Sequence, residues 1–142
     1  MVKAAASGKL NAPADEVWAL VGPFGNLGKF DGGVTKCTLE DGGVQRRLDI
    51  IDSGQIIERL LNYDNEGRIY HWKIVDIIDV PMPIINYRAT ISVADDEPGK
   101  SCVFTMGATF DPGPGAAEKE VEELMAGDFG GVLENLQKMF GG

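Results

Sequence analysis

A chain of 142 residues is one domain of ordinary size, long enough to bury a real core. Hydrophobic residues at 44% and charged residues at 25% give a globular profile and exclude global disorder. Lys and Arg number 13 against 22 Asp and Glu, a net charge of −9, which argues against nucleic acid and anionic membranes as partners.

Lys3–Leu10 reads as a first strand, weakened by its alanines. Asn11 and Pro13 then open a helix, with Asp15 and Glu16 placed where the helix dipole favours acids. Gly22–Pro23 stops it, and Asn26–Phe30 reads as a second, very short helix. Gly22, Gly25 and Gly28 lack the dinucleotide-binding spacing and follow a helix, so they mark a turn-rich connection.

From Val34 the pattern changes to period two. Strands are expected at Val34–Glu40, Val44–Ile51, Gln55–Tyr63, Arg68–Asp76, Ile84–Ala94 and Ser101–Phe110, with an irregular proline loop at Asp79–Pro83. Even spacing and short turns predict an antiparallel meander. Ala116–Phe140 is a long terminal helix with an apolar stripe from Val121 to Phe140. Its mid-helix Gly127, Gly130 and Gly131 each cost about 1 kcal/mol of helix propensity, which predicts a close neighbour, either sheet backbone or a ligand. The layout is α+β: one domain over 1–142, with a curved seven-stranded antiparallel sheet around the long helix. Two short helices follow the first strand, and a wedge-shaped apolar cavity lies between sheet and long helix.

Strand alternation places Val44, Arg46, Leu48 and Ile50 on one face, with Ile56, Glu58 and Leu60 on the next strand. Tyr70, Trp72 and Ile74 follow, then Ile85, Tyr87, Ala89 and Ile91, then Cys102 through Phe104 to Phe110, while His71 points away. The apolar face thus carries Arg46, Glu58 and two tyrosine hydroxyls. Buried charges need partners, and Arg46 and Glu58 are placed to pair across a tight turn. The pair either closes an apolar interior or forms a site in which Glu58 is an acid or base and Arg46 and Tyr87 hold an oxyanion. Candidate ligand contacts are Trp18, Phe30, Tyr70, Trp72, Phe104 and Phe110, with Gly131 and Asn135 on the long helix.

Lone His71 and the absence of paired Cys or His at ligand spacing argue for no metal, and no cofactor motif is visible. Cys37 and Cys102 are expected as reduced thiols. No signal peptide or membrane span is recognisable, and a cytoplasmic location is expected. Monomer and homodimer both remain open, since sheet edges can pair between chains.

Three pieces resemble one superfamily: "LNAPADEVWALVGPFGNLGKF", "GGVQRRLDI" followed by "SGQIIERLLNYDNEGRIYHWKI", and "NYRATISV". Over almost the whole chain their order resembles the START-like helix-grip superfamily (SRPBCC), in its polyketide cyclase/dehydrase-like branch. The resemblance implies an internal cavity for small hydrophobic or amphipathic molecules and chemistry without a cofactor. Pocket positions are similar to those of onion lachrymatory factor synthase at Arg46, Glu58 and Tyr87, with Trp72 where that enzyme has a tyrosine. Glu58 and Tyr87 are also similar to pocket positions of plant abscisic acid receptors. Two functions therefore stand side by side. One is a proton-transfer enzyme of cyclisation, dehydration, isomerisation or lyase type. The other is a non-catalytic carrier or sensor of the same kind of molecule.

Overall fold

The computed structural model describes all 142 residues. Strand β1 (Val2–Leu10) leads to helix α1 (Ala14–Val21) and a 3-10 segment (Phe24–Lys29). Strands β2 (Val34–Glu40), β3 (Gln45–Ile50), β4 (Gln55–Asp64), β5 (Ile69–Ile78), β6 (Ile84–Asp95) and β7 (Cys102–Pro112) follow, and helix α2 (Glu118–Phe140) ends the chain. The seven strands form one sheet in the order β1-β7-β6-β5-β4-β3-β2, every pair antiparallel. Curvature wraps the sheet around α2, a helix-grip α+β architecture in which the meander follows the expected strand spacing and the helix packs on it as the order of elements predicts.

The alanine-rich β1 is a strand because its whole length pairs with β7, from Val2↔Phe110 to Leu10↔Cys102. Its small residues have a second use. A Cβ on Gly8 would stand 3.0 Å from the Leu133 side chain, so the missing side chain lets α2 lie close to this edge. Helix α2 buries Val121, Met125, Phe129, Val132 and Leu136, one stripe at spacings of three and four. These join a continuous core of 31 buried hydrophobic residues running through α1, the sheet and α2.

The expected elements differ from the structure at three places. Val44 is not in a strand but follows the tight Asp41–Gly43 turn, where positive φ at all three residues redirects the chain and leaves Val44 38% exposed. Ile85 is 48% exposed and Ile84 is buried, because Asn86 adopts φ 55° within a register shift between Ile85 and Arg88 that inverts the alternation. Helix α1 starts at Ala14 with Pro13 as its unassisted cap, while the Asn11 N–H donates to the Gly141 carbonyl and ties the end of α2 to β1. His71 faces outward as expected, its Nδ1 2.8 Å from the Thr90 hydroxyl. Cys37 and Cys102 are unpaired.

Candidate ligand cavity

Between the sheet and α2 lies a cavity of about 650 Å³. It opens between the loop after the 3-10 segment, the β3–β4 turn, the proline loop and one face of α2. That turn is fixed to the proline loop: the Ser53 hydroxyl and the Gly54 N–H both donate to the Asp79 carbonyl, at 3.0 and 3.1 Å. Only glycine fits at 54, since a Cβ there would overlap the Ile78 carbonyl.

The bed of the cavity comes from three adjacent strands, which present Glu58 (β4), Trp72 (β5) and Tyr87 (β6). A register shift between Ile57 and Glu58 sharpens the bend in β4 at this point and leaves Ile56, Ile57 and Glu58 all buried in succession. Arg46 lies directly across from Glu58 in the β3–β4 register. Its Nε donates to Glu58 Oε1 at 2.9 Å, and its second terminal nitrogen lies 2.8 Å from the same oxygen. Both contacts fall on Oε1.

Arg46 is fully buried behind Glu58 and does not line the cavity. It donates to the Phe24 carbonyl (3.0 Å) and the Tyr70 hydroxyl (3.3 Å), and its guanidinium sits 4.0 Å from the centre of the Phe24 ring. Burial opposes its charge, but Tyr70 and Glu58 hold the guanidinium protonated above its ordinary range. Burial raises the Glu58 carboxyl above its ordinary value. Arg46, by charge and hydrogen bond, opposes that rise without cancelling it, and the nearby Trp72 indole N–H acts in the same sense. That N–H is buried and has no partner of good hydrogen-bond geometry. Tyr87 makes no hydrogen bond within the protein. Burial and the neighbouring Glu58 push its hydroxyl well above its ordinary value, so it remains a donor.

The expected ligand contacts divide. Trp72, Gly131 and Asn135 line the cavity together with Glu58 and Tyr87. Asn135 is not free, because its side-chain nitrogen donates to the Phe30 carbonyl at 3.2 Å and latches α2 to the mouth. Trp18, Phe30, Tyr70, Phe104 and Phe110 are buried in the core and do not line the cavity. Trp18 is held away by its hydrogen bond to Asn65 (2.8 Å), and Tyr70 is enclosed by Trp18, Phe24, Tyr63 and Trp72. Phe110 supports Tyr87 from behind, the two rings stacked with centres 6.4 Å apart. On β7 it is Met106, not Phe104, that reaches the space.

The cavity also uses residues that strand alternation did not single out: Asp31 and Asp52 on loops, and Asp128 and Glu134 on α2. The signal for the helical pair was present in the sequence. Leu124, Gly127, Asp128, Gly131, Glu134 and Asn135 recur at three and four on one side of α2, next to the buried stripe. Gly127 and Gly131 face open space, with nothing within 4 Å of where a Cβ would stand, so they belong to the void and not to a close helix–sheet contact.

The family model described as polyketide cyclase/dehydrase and lipid transport matches residues 1–141. Among solved structures, the protein XoxI of Bacillus cereus is 28% identical and superimposes with a TM-score of 0.92 over 99% of this chain and 96% of its own. An uncharacterised protein of Bacillus thuringiensis is 27% identical, with a TM-score of 0.90 and 98% of each chain covered. Truncated norcoclaurine synthase of Thalictrum flavum shares the fold at 21% identity, with a TM-score of 0.72 over 96% of this chain and 91% of that one. No curated protein matches.

Proposed function

Because the chain belongs to the polyketide cyclase/dehydrase and lipid transport family, we propose that it binds a small amphipathic molecule in its cavity and moves a proton on it through Glu58. The reading rests on one observation. A buried carboxyl with a raised pKa has one oxygen pinned by Arg46, and it shares the cavity bed with a protonated Tyr87 hydroxyl and a Trp72 N–H that has no well-aligned partner.

In this reading a carbonyl oxygen of the ligand accepts from Tyr87 and Trp72. Glu58 Oε2 then takes a proton from the adjacent carbon, and the negative charge that develops on oxygen is met by those two donors. Returning the proton elsewhere on the molecule gives isomerisation; expelling a group or closing a ring gives dehydration or cyclisation. Arg46 is a positioning residue here. It orients Glu58 and sets its acidity, and it is too deeply enclosed to hold the oxyanion itself. Each of these steps is a proton transfer between the ligand and the protein's own groups.

A carrier is the second reading, and Arg46 favours it. With the guanidinium walled off, the oxyanion has neutral donors only. Deuterium exchange separates the two. Aryl ketones incubated with the protein in heavy water are expected to exchange the hydrogens next to the carbonyl, and Glu58→Gln is expected to slow this roughly 100-fold or more while dye displacement shows binding intact. Binding without exchange in the wild-type protein would leave the carrier reading.

A further inference from the structure

The charged residues around the cavity are all of one sign. Asp31, Asp52, Glu58, Asp128 and Glu134 line it, and no Lys, Arg or His does. Glu58 is neutralised by Arg46, whereas the other four make no salt bridge. The overall acid excess does not account for this. Elsewhere on the surface acids face bases, as in Glu40–Arg47, Asp41–Arg59 and Asp15–Arg68–Asp95. Unpaired carboxylates gather at the mouth, next to exposed Ile51 and Leu124.

Two independent groups point to a ligand. The Trp72 N–H is buried, in a residue only 1% exposed that lines the cavity, and its one polar neighbour, the Glu58 carboxyl, is not well aligned to accept from it. The Tyr87 hydroxyl, 6% exposed as a residue, is a second donor without a partner at the same bed. The bed therefore asks for an acceptor, the middle for an apolar body and the mouth for a positive charge. No three acidic or other ligating side chains come together closely enough to form an all-protein cage for one metal ion.

We propose that the molecule bound here is an amphipathic organic cation: an apolar body with a hydrogen-bond acceptor at Trp72 and Tyr87 and a protonated amine at the acidic mouth, facing Asp31, Asp128 and Glu134. This rests on the cavity-binding reading above and adds the class of ligand. The carboxyls of Asp31 and Asp128 both sit above their ordinary values, chiefly through burial, with the Asp31 charge adding to the rise at Asp128. A cation between them would relieve both.

The test uses three probes with the same body and acceptor: methoxyphenylpropylamine, methoxyphenylpropanol and methoxyphenylpropionate, titrated calorimetrically at neutral pH and low salt. The amine is expected to bind about tenfold tighter than the alcohol, and the carboxylate weakest of all. The amine preference should shrink with added salt. It should also shrink in Asp128→Asn and in Glu134→Gln, each of which should weaken the amine far more than the alcohol. An alcohol or carboxylate that binds as tightly as the amine overturns the inference and leaves the cavity reading standing. Failure of all three probes, together with failure to bind a hydrophobic dye, overturns both.

Discussion

Arg46 keeps its charge with no exposed surface, and its environment accounts for it: a carboxylate, a carbonyl, a phenol oxygen and an aromatic face. Removing one member of such a pair leaves the other charge buried and uncompensated. Arg46→Met is therefore expected to destabilise by about 3–5 kcal/mol in denaturant unfolding, and adding Glu58→Leu to recover most of the loss. If the single change costs almost nothing, water reaches the pair and Arg46 is not enclosed. The same environment fixes a pH dependence. The folded chain holds the Glu58 proton more tightly than the unfolded chain does, so this group favours folding at low pH. Its contribution is lost as pH rises from the ordinary glutamate value through the raised folded one. Deuterium exchange, which needs the carboxylate, should rise through that same raised midpoint, and the step should vanish in Glu58→Gln. Strand alternation was enough to bring Arg46 and Glu58 onto one face. It could not show which of the two stands between the other and the ligand, because that depends on how sharply β4 bends at its bulge. For the same reason the large aromatics Trp18, Tyr70 and Phe104 read as plausible pocket walls and are core: apolar character does not distinguish a side chain facing a void from one facing its neighbours.

At the scale of elements, α2 is the informative case. Its apolar stripe was legible from spacing alone, and so was the oddity of three glycines. The cause was not, since a missing side chain looks the same in sequence whether it admits a backbone or leaves a hole. Gly130 and Gly131 now form a matched pair. Both are helical with empty space around them, but only Gly131 lines the cavity. Alanine at either is expected to raise stability by roughly 0.5–1 kcal/mol, through helix propensity and a less flexible unfolded chain. Only Gly131→Ala should weaken ligand or dye binding, by placing a methyl group in the void, and thermal melts paired with dye titration read both effects. Equal binding in the two variants would mean that the ligand does not reach this part of α2. The misread ends of β3 and β6 have a similar root. Positive φ at Asp41 and Asn86 follows from the local path of the chain, and these residue types tolerate it without demanding it.

For the molecule as a whole, the order of elements carried the fold: six evenly punctuated strands, one strand ahead of them and one amphipathic helix behind leave few arrangements other than a sheet gripping a helix. That arrangement conflicts with close packing, because a strongly curved sheet diverges from a straight helix at one end. Here β1 closes on α2 through Gly8 while the β3–β6 side stands off and encloses about 650 Å³. The apolar walls of a space that size forgo close contacts, so filling it should stabilise the native state. A ligand at a hundred times its dissociation constant adds about 2.7 kcal/mol, worth roughly 5–10 °C in a domain of this length. Thermal melts with an aminoalkyl-aromatic probe should show that rise, and the native protein should bind an anilinonaphthalene dye that the probe displaces. A melting temperature indifferent to every amphipathic compound, with no dye bound, would mean that α2 settles onto the sheet in solution. The glycines of its cavity face would then be a cost in helix propensity with no return in binding.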